Sequence, residues 1–184
     1  MVSAVGIKRI LYSDASSVTE DITPTVAKTL IQAAITAKNE VLNVHGETWT
    51  IDESEASVTG YKNQLTGQNY RYDTTPGDLT PSFSIGQYDW KTKAEMLGGE
   101  VIKNESAEVG WKRSTEKVVK KKALFCLTED DVWFIFPNCQ IVARESNTDK
   151  AVALAVKGLV QTPETAGISS EYNYEEGTIK ALTA

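Results

Sequence analysis

This 184-residue sequence has 25 acidic side chains but a single histidine and two cysteines, and no residues in it form a defensible catalytic constellation. The single histidine, His45, precedes Gly46 and has no cysteine or carboxylate at a metal-ligand spacing, so a loop or strand-end position is expected for it. Cys126 and Cys139 sit in strand-like runs without a CxxC or a neighbouring histidine. Buried free thiols are expected there rather than a disulfide or a zinc site. Glu129-Asp130-Asp131 offers oxygen ligands in one place but lacks the spread of donors of a calcium loop, and so reads as an exposed hairpin turn. No glycine-rich phosphate loop follows a strand, and neither GxSxG nor HExxH occurs. Nothing places two carboxylates in one cleft for glycoside chemistry. The expectation is a protein that is not an enzyme and takes no cofactor and no metal, acting through surfaces and assembly.

Two charged groups and one polar stretch are the candidate surfaces. Lys112, Arg113, Lys117, Lys120, Lys121 and Lys122 cluster around the start of a strand-like run, Val118–Leu127, and Glu129, Asp130 and Asp131 follow its end. One extended strand thus separates a positive pole from a negative one, an arrangement suited to head-to-tail stacking. Residues 54–77 are polar, with Gly60, Gly67 and Pro76-Gly77, and carry Tyr61, Tyr70 and Tyr72. A stretch of that length without a core face is either a surface hairpin whose tyrosines lie on the parent sheet or an arm ordered against a neighbouring subunit.

The elements that would position these groups are mostly strands. Four β-rich runs, Val118–Leu127, Val132–Phe136, Cys139–Glu145 and Ala151–Val160, are separated by Thr128–Asp131, Pro137-Asn138 and Ser146–Asp149, the pattern of an antiparallel meander. Val5–Tyr12 and Glu47–Glu53 read as further strands. Asp78–Gln87 alternates with Leu79, Pro81, Phe83 and Ile85 on one face, and Pro81 places it at an edge or near a strand start. Thr23-Pro24 predicts a helix over 24–38, with a strand pair as the rival. Asp89 caps a short helix whose Trp90, Ala94 and Leu97 share a face, ended by Gly98-Gly99. The polar tail, 161–184, is a flexible end or a second docking arm carrying Tyr172 and Tyr174.

Length predicts one domain over residues 1–184. The composition, 41% hydrophobic and 24% charged, is that of a globular protein. A net charge of −6 argues against a nucleic-acid binder, yet suits a protein past which a polyanion must slide. No apolar run reaches the ~20 residues of a membrane span, and the start lacks the form of a signal peptide, so a cytoplasmic protein is expected. The fold class expected is mainly β (α+β): an antiparallel β-sandwich or barrel with one or two flanking helices.

Several of these segments also carry a family likeness. Gly6-Ile7-Lys8-Arg9-Ile10-Leu11-Tyr12, the Gly60–Tyr70 arm, Phe83-Ser84-Ile85-Gly86-Gln87-Tyr88-Asp89 leading into Leu97-Gly98-Gly99, Thr128–Val132 through Phe136-Pro137, Ala143-Arg144-Glu145 and Leu154-Ala155-Val156 together resemble phage major tail (tail tube) proteins of Bacteroides-type phages and prophages. The resemblance implies a β-sandwich or barrel that joins edge to edge into rings, usually six-fold. Those rings stack into a hollow, acidic-lined tube conducting DNA in the virion tail, beside a tape-measure protein and other tail proteins. Ring closure would also cover exposed strand edges. The rival class is a β-sandwich carbohydrate-binding module, with Trp49, Trp90, Trp111 and Trp133 as stacking platforms. A pilus or fibre subunit is disfavoured by the missing export signal.

Overall fold

The computed structural model describes residues 3–116, 118–148 and 150–181. In chain order its elements are β1 (Arg9–Asp14), α1 (Pro24–Thr36), β2 (Glu40–Val41), β3 (Asn43–Val44), β4 (Thr50–Glu53), β5 (Ser57–Lys62), β6 (Asn69–Thr75), β7 (Leu79–Gln87), α2 (Trp90–Leu97), β8 (Glu100–Asn104), β9 (Ala107–Lys112), β10 (Lys120–Leu127), β11 (Val132–Thr148), β12 (Ala151–Val160), β13 (Tyr172–Glu175) and α3 (Glu176–Ala181). The fold is mainly antiparallel β, as the strand-like runs predict, and the described residues form three short α-helices where one or two were expected, the third, α3, lying in the tail.

β10 organises the rest because both of its faces are apolar. Leu124 and Cys126 enter one core with Ile10, Tyr12, Phe83, Ile85, Phe136, Leu154 and Val156. Ala123, Phe125 and Leu127 enter a second with Leu11, Trp133 and Ile135, roofed by Ala27, Ile31 and Ala34 of α1. A period of two sends alternate side chains to opposite faces, so a strand buried on both sides reads as one unbroken apolar run. α1 itself begins as expected, with Thr23 Oγ1 accepting a hydrogen bond from the Val26 amide and proline in the first turn.

Pro137-Asn138 does not turn the chain. Register steps from Lys122↔Cys139 to Leu124↔Phe136, so Ala123 faces two residues and β11 runs on through a bulge. A bulge tolerates proline's missing amide donor. It also flips the parity of the strand, which is why Phe136 and Cys139 point into the same core. The expected four-run meander is therefore three strands, β10, β11 and β12. The long β11 takes β13 on one stretch of its outer edge and β12 on the next.

The lateral order of the large sheet is β2-β1-β10-β11-β12-β7-β3, with β4 also on β7. Its two ends, β2 and β3, are consecutive in the chain and separated only by Leu42. The sheet must therefore curl until its ends meet, enclosing the first core. β7 lies between β12 and β4, so it is no edge strand. Pro81 stands near its start, one residue beyond the β12 ladder.

The tail is neither free nor an arm. β13 pairs with Val132–Ile135, and Ile168 and Ile179 are buried in the second core. Tyr172 donates to Asp21 Oδ1 at 2.5 Å, and Tyr174 donates to the Ile22 carbonyl. Burying each isoleucine contributes about 1.5–3 kcal/mol, enough to hold a short polar segment in place.

Candidate assembly surfaces

The polar stretch folds as an isolated hairpin. Among the described residues β5 and β6 pair with one another and with no other strand, and every residue of both is exposed. Tyr61, Tyr70 and Tyr72 are 42%, 70% and 64% exposed, so they do not lie on the parent sheet. The hairpin tip is ordered: the Asn63 amide donates to Gln68 O at 2.9 Å, and Gly67 donates to Asn63 O at 2.8 Å. Asn63 Oδ1 accepts from the Leu65 amide at 2.8 Å. That turn holds Leu65 outward at 95% exposure. At the other end the neck is pinched shut. Ser54 donates to Asp78 O at 3.0 Å, and Asp78 donates back to Ser54 Oγ at 2.8 Å. A Cβ on Gly77 would stand 1.7 Å from Ser54 O, so only glycine closes this neck.

The basic run is largely neutralised within the chain. Lys112 pairs with Glu100 at 2.7 Å, Arg113 with Glu145 at 3.2 Å and Lys121 with Glu164 at 2.7 Å. Lys122 is 4% exposed and bonds Asp14 at 2.6 Å and also Glu95, so it belongs to the interior and not to a surface pole. Burial works against its charge, but the hydrogen bonds and charges of Asp14 and Glu95 outweigh that and hold its pKa above the ordinary lysine value. Lys120 is half-buried, and Lys117 lies outside the described residues.

The acidic turn docks other parts of the chain. Asp131 takes Lys8 Nζ at 2.7 Å, and that bond lowers the carboxyl pKa and raises the ammonium pKa. Asp130 Oδ2 accepts the Val5 amide at 3.2 Å. Glu129 lies across Gly6, and its carboxylate forms no ion pair with a described residue. The expected opposition of a positive and a negative pole is thus largely cancelled within the chain, and Glu129 and Asp130 are the two acids of the turn in no ion pair with a described residue.

α2 turns a different face inward from the one expected. Thr92, Lys93 and Met96 are buried, and Trp90 is 38% exposed. Asp89 caps the helix through the Thr92 amide at 2.6 Å. Lys93 can be buried because its charge is met: Nζ bonds Glu145 at 2.6 Å and lies 4.4 Å from the centre of the Trp111 ring, with Tyr88 and Trp90 also in reach. The same indole donates to Gly98 O at 2.8 Å. This cluster clips β8–β9 to the barrel. The hairpin itself was missed in the sequence, although its turn at Asn104-Glu105 was available as a signal.

The remaining candidates are structural. Trp133 is 3% exposed, its buried Nε1 without a hydrogen-bond partner among the described residues, Trp49 leans on Phe83 at 6.4 Å, and Trp90 and Trp111 face Lys93, so Trp133 is enclosed and the other three indoles pack against side chains of this chain. Cys126 and Cys139 are free and wholly buried. Burial raises Cys126 well above the ordinary thiol value and takes Cys139 to about 12. His45 follows β3, where its amide donates to Ser84 O at 2.8 Å. Among the described residues no three His, Cys, Asp or Glu side chains gather to hold a metal, and no helix is long and apolar enough to cross a membrane. Compared with known proteins, the chain matches no family model and no curated protein.

Proposed function

We propose that this chain is the structural subunit of a phage tail tube, assembling with copies of itself into rings, six-fold by the family resemblance, that stack as a conduit for DNA. In this reading it is made in the host cytoplasm and ends in the virion tail, next to a tape-measure protein. It transforms no substrate. The observation that carries the reading is the arm: an ordered hairpin, closed at its own neck, that keeps three tyrosines and Leu65 in water. A lone two-stranded hairpin is marginal in water, so an apolar crest on one points to a surface outside the chain.

The magnitudes suit cooperative assembly. Covering Tyr61, Tyr70, Tyr72 and Leu65 would remove on the order of 400–500 Å² from water, about 10–12 kcal/mol gross. Association costs about 4–15 kcal/mol. One arm therefore makes a weak pairwise contact, and many in a closed ring make a strong one. The net charge of −6 suits a wall along which phosphates must not stick.

Excising the arm tests this cleanly, because Ser54 and Asp78 are already bonded to each other at the neck. Replacing 55–77 by two glycines should leave the barrel's circular dichroism intact. By negative-stain microscopy at high concentration, the full chain should form rings or tubes and the excised chain should not. A full chain that remains single particles at every concentration rules the reading out.

A further inference from the structure

The place where the barrel's ends meet is left incompletely paired. β2 joins β1 only from Ile10 onward, so among the described residues no strand lies on the outer side of Arg9. Among the described residues β4 pairs only with β7, leaving its other edge open. Beside Arg9 lies a groove of about 450 Å³, with Ile7, Val44 and Trp49, the residue before β4, among its walls and Leu42, 78% exposed, in its lining. Glu47 and Glu129 also line it, both exposed and neither in an ion pair with a described residue. Lys8 and Arg9 line it too, but their charges are met by Asp131 and Glu40, so at this seam the acids in no ion pair with a described residue, beside the apolar side chains, suit an apolar knob flanked by cations.

The arm carries that knob. Leu65 crowns it, and Lys62 and Arg71 flank the tip, neither in an ion pair with a described residue, Arg71 lying over the Tyr61 ring at 5.6 Å. We propose that the arm of one copy docks in the seam of the next, with Leu65 entering the groove beside Leu42 and Lys62 and Arg71 facing Glu47 and Glu129. This rests on the self-assembly reading and adds to it the receiving surface. Arm and seam are different patches, so the contact is heterologous and propagates from copy to copy. It also covers the open edges at the seam.

Disulfide trapping tests the pairing, because the native Cys126 and Cys139 are wholly buried and do not compete. The double variant Leu65→Cys/Leu42→Cys, oxidised at a concentration where the chain associates, should give a ladder extending beyond the dimer. Cross-linking at 65–42 should run at least about tenfold faster than in a control pairing Leu65→Cys with Ile35→Cys on α1, since docking raises the effective thiol concentration. In a second arm, Lys62→Glu/Arg71→Glu should weaken association about tenfold or more, and adding Glu47→Lys/Glu129→Lys should restore it. Association that persists with no preference for the 65–42 bond overturns the seam as receptor and leaves self-assembly standing. A chain that does not associate at all overturns both.

Discussion

Lys122 gives the sharpest test of how the charges are used. If it is an interior ammonium, removing its partners must cost more than removing the lysine itself. Lys122→Met deletes the charge together with its need for partners and keeps the stem beside the Tyr12 ring, so the loss is limited to about 0–2 kcal/mol. Asp14→Ala with Glu95→Ala strands an ammonium that is 4% exposed, at a cost of about 3–5 kcal/mol. Most of that comes from Glu95, because Asp14 is 71% exposed and its bond is screened. Urea unfolding followed by circular dichroism reads both variants, with an unchanged m-value as the check that the barrel still unfolds as one unit. The pH dependence has a defined sign. The folded-state pKa is raised, so the lysine's contribution is fully present below the unfolded value and is lost as pH climbs through the folded one. A double variant that loses less than about 1 kcal/mol would refute the reasoning and return Lys122 to a solvated positive pole.

Three other outcomes follow from the same structure. Glu145 is held below the ordinary glutamate value first by its hydrogen bond from Lys93 and then by that charge; its contribution is present above the unfolded pKa and lost as pH falls through the folded one. Acid titration of the urea midpoint should show that loss, and Glu145→Gln should flatten it. Gly99→Ala places a Cβ 2.3 Å from Lys112 O at φ +89, so it should cost about 2–4 kcal/mol and detach the β8–β9 hairpin, read by urea unfolding and Trp111 fluorescence. Cys126 and Cys139, wholly buried with raised pKa values, should resist a thiol reagent in the native protein and react together once denaturant unfolds it; fast native labelling would contradict that burial.

What was legible in the sequence was local. The cap at Thr23, the Asp89 cap with its closing glycine pair and the alternation of Leu79–Ile85 each depend on neighbours within a turn or two, and each is where it was expected. The misreadings depend on partners far along the chain. Pro137-Asn138 has the composition of a turn, and only the β10 register makes it a bulge. Lys93 occupies an inward position because Glu145 and Trp111, from other elements, meet it there. The tail reads as polar because its two buried isoleucines, 168 and 179, are isolated in sequence and meet the second core only in space. The basic run suggested a pole because its acidic partners, Asp14, Glu95, Glu100, Glu145 and Glu164, are spread along the chain. The arm was visible as a polar stretch with tyrosines. The exposure of those tyrosines excludes the reading in which they lie on the parent sheet.

Sedimentation velocity of the full chain over a hundredfold range of concentration bears most directly on self-assembly. If copies bind through the arm, the weight-average sedimentation coefficient rises with concentration, and the form lacking residues 55–77 stays at the single-chain value throughout. A full chain that sediments as one species of single-chain mass across the whole range, in low and high salt alike, would contradict it.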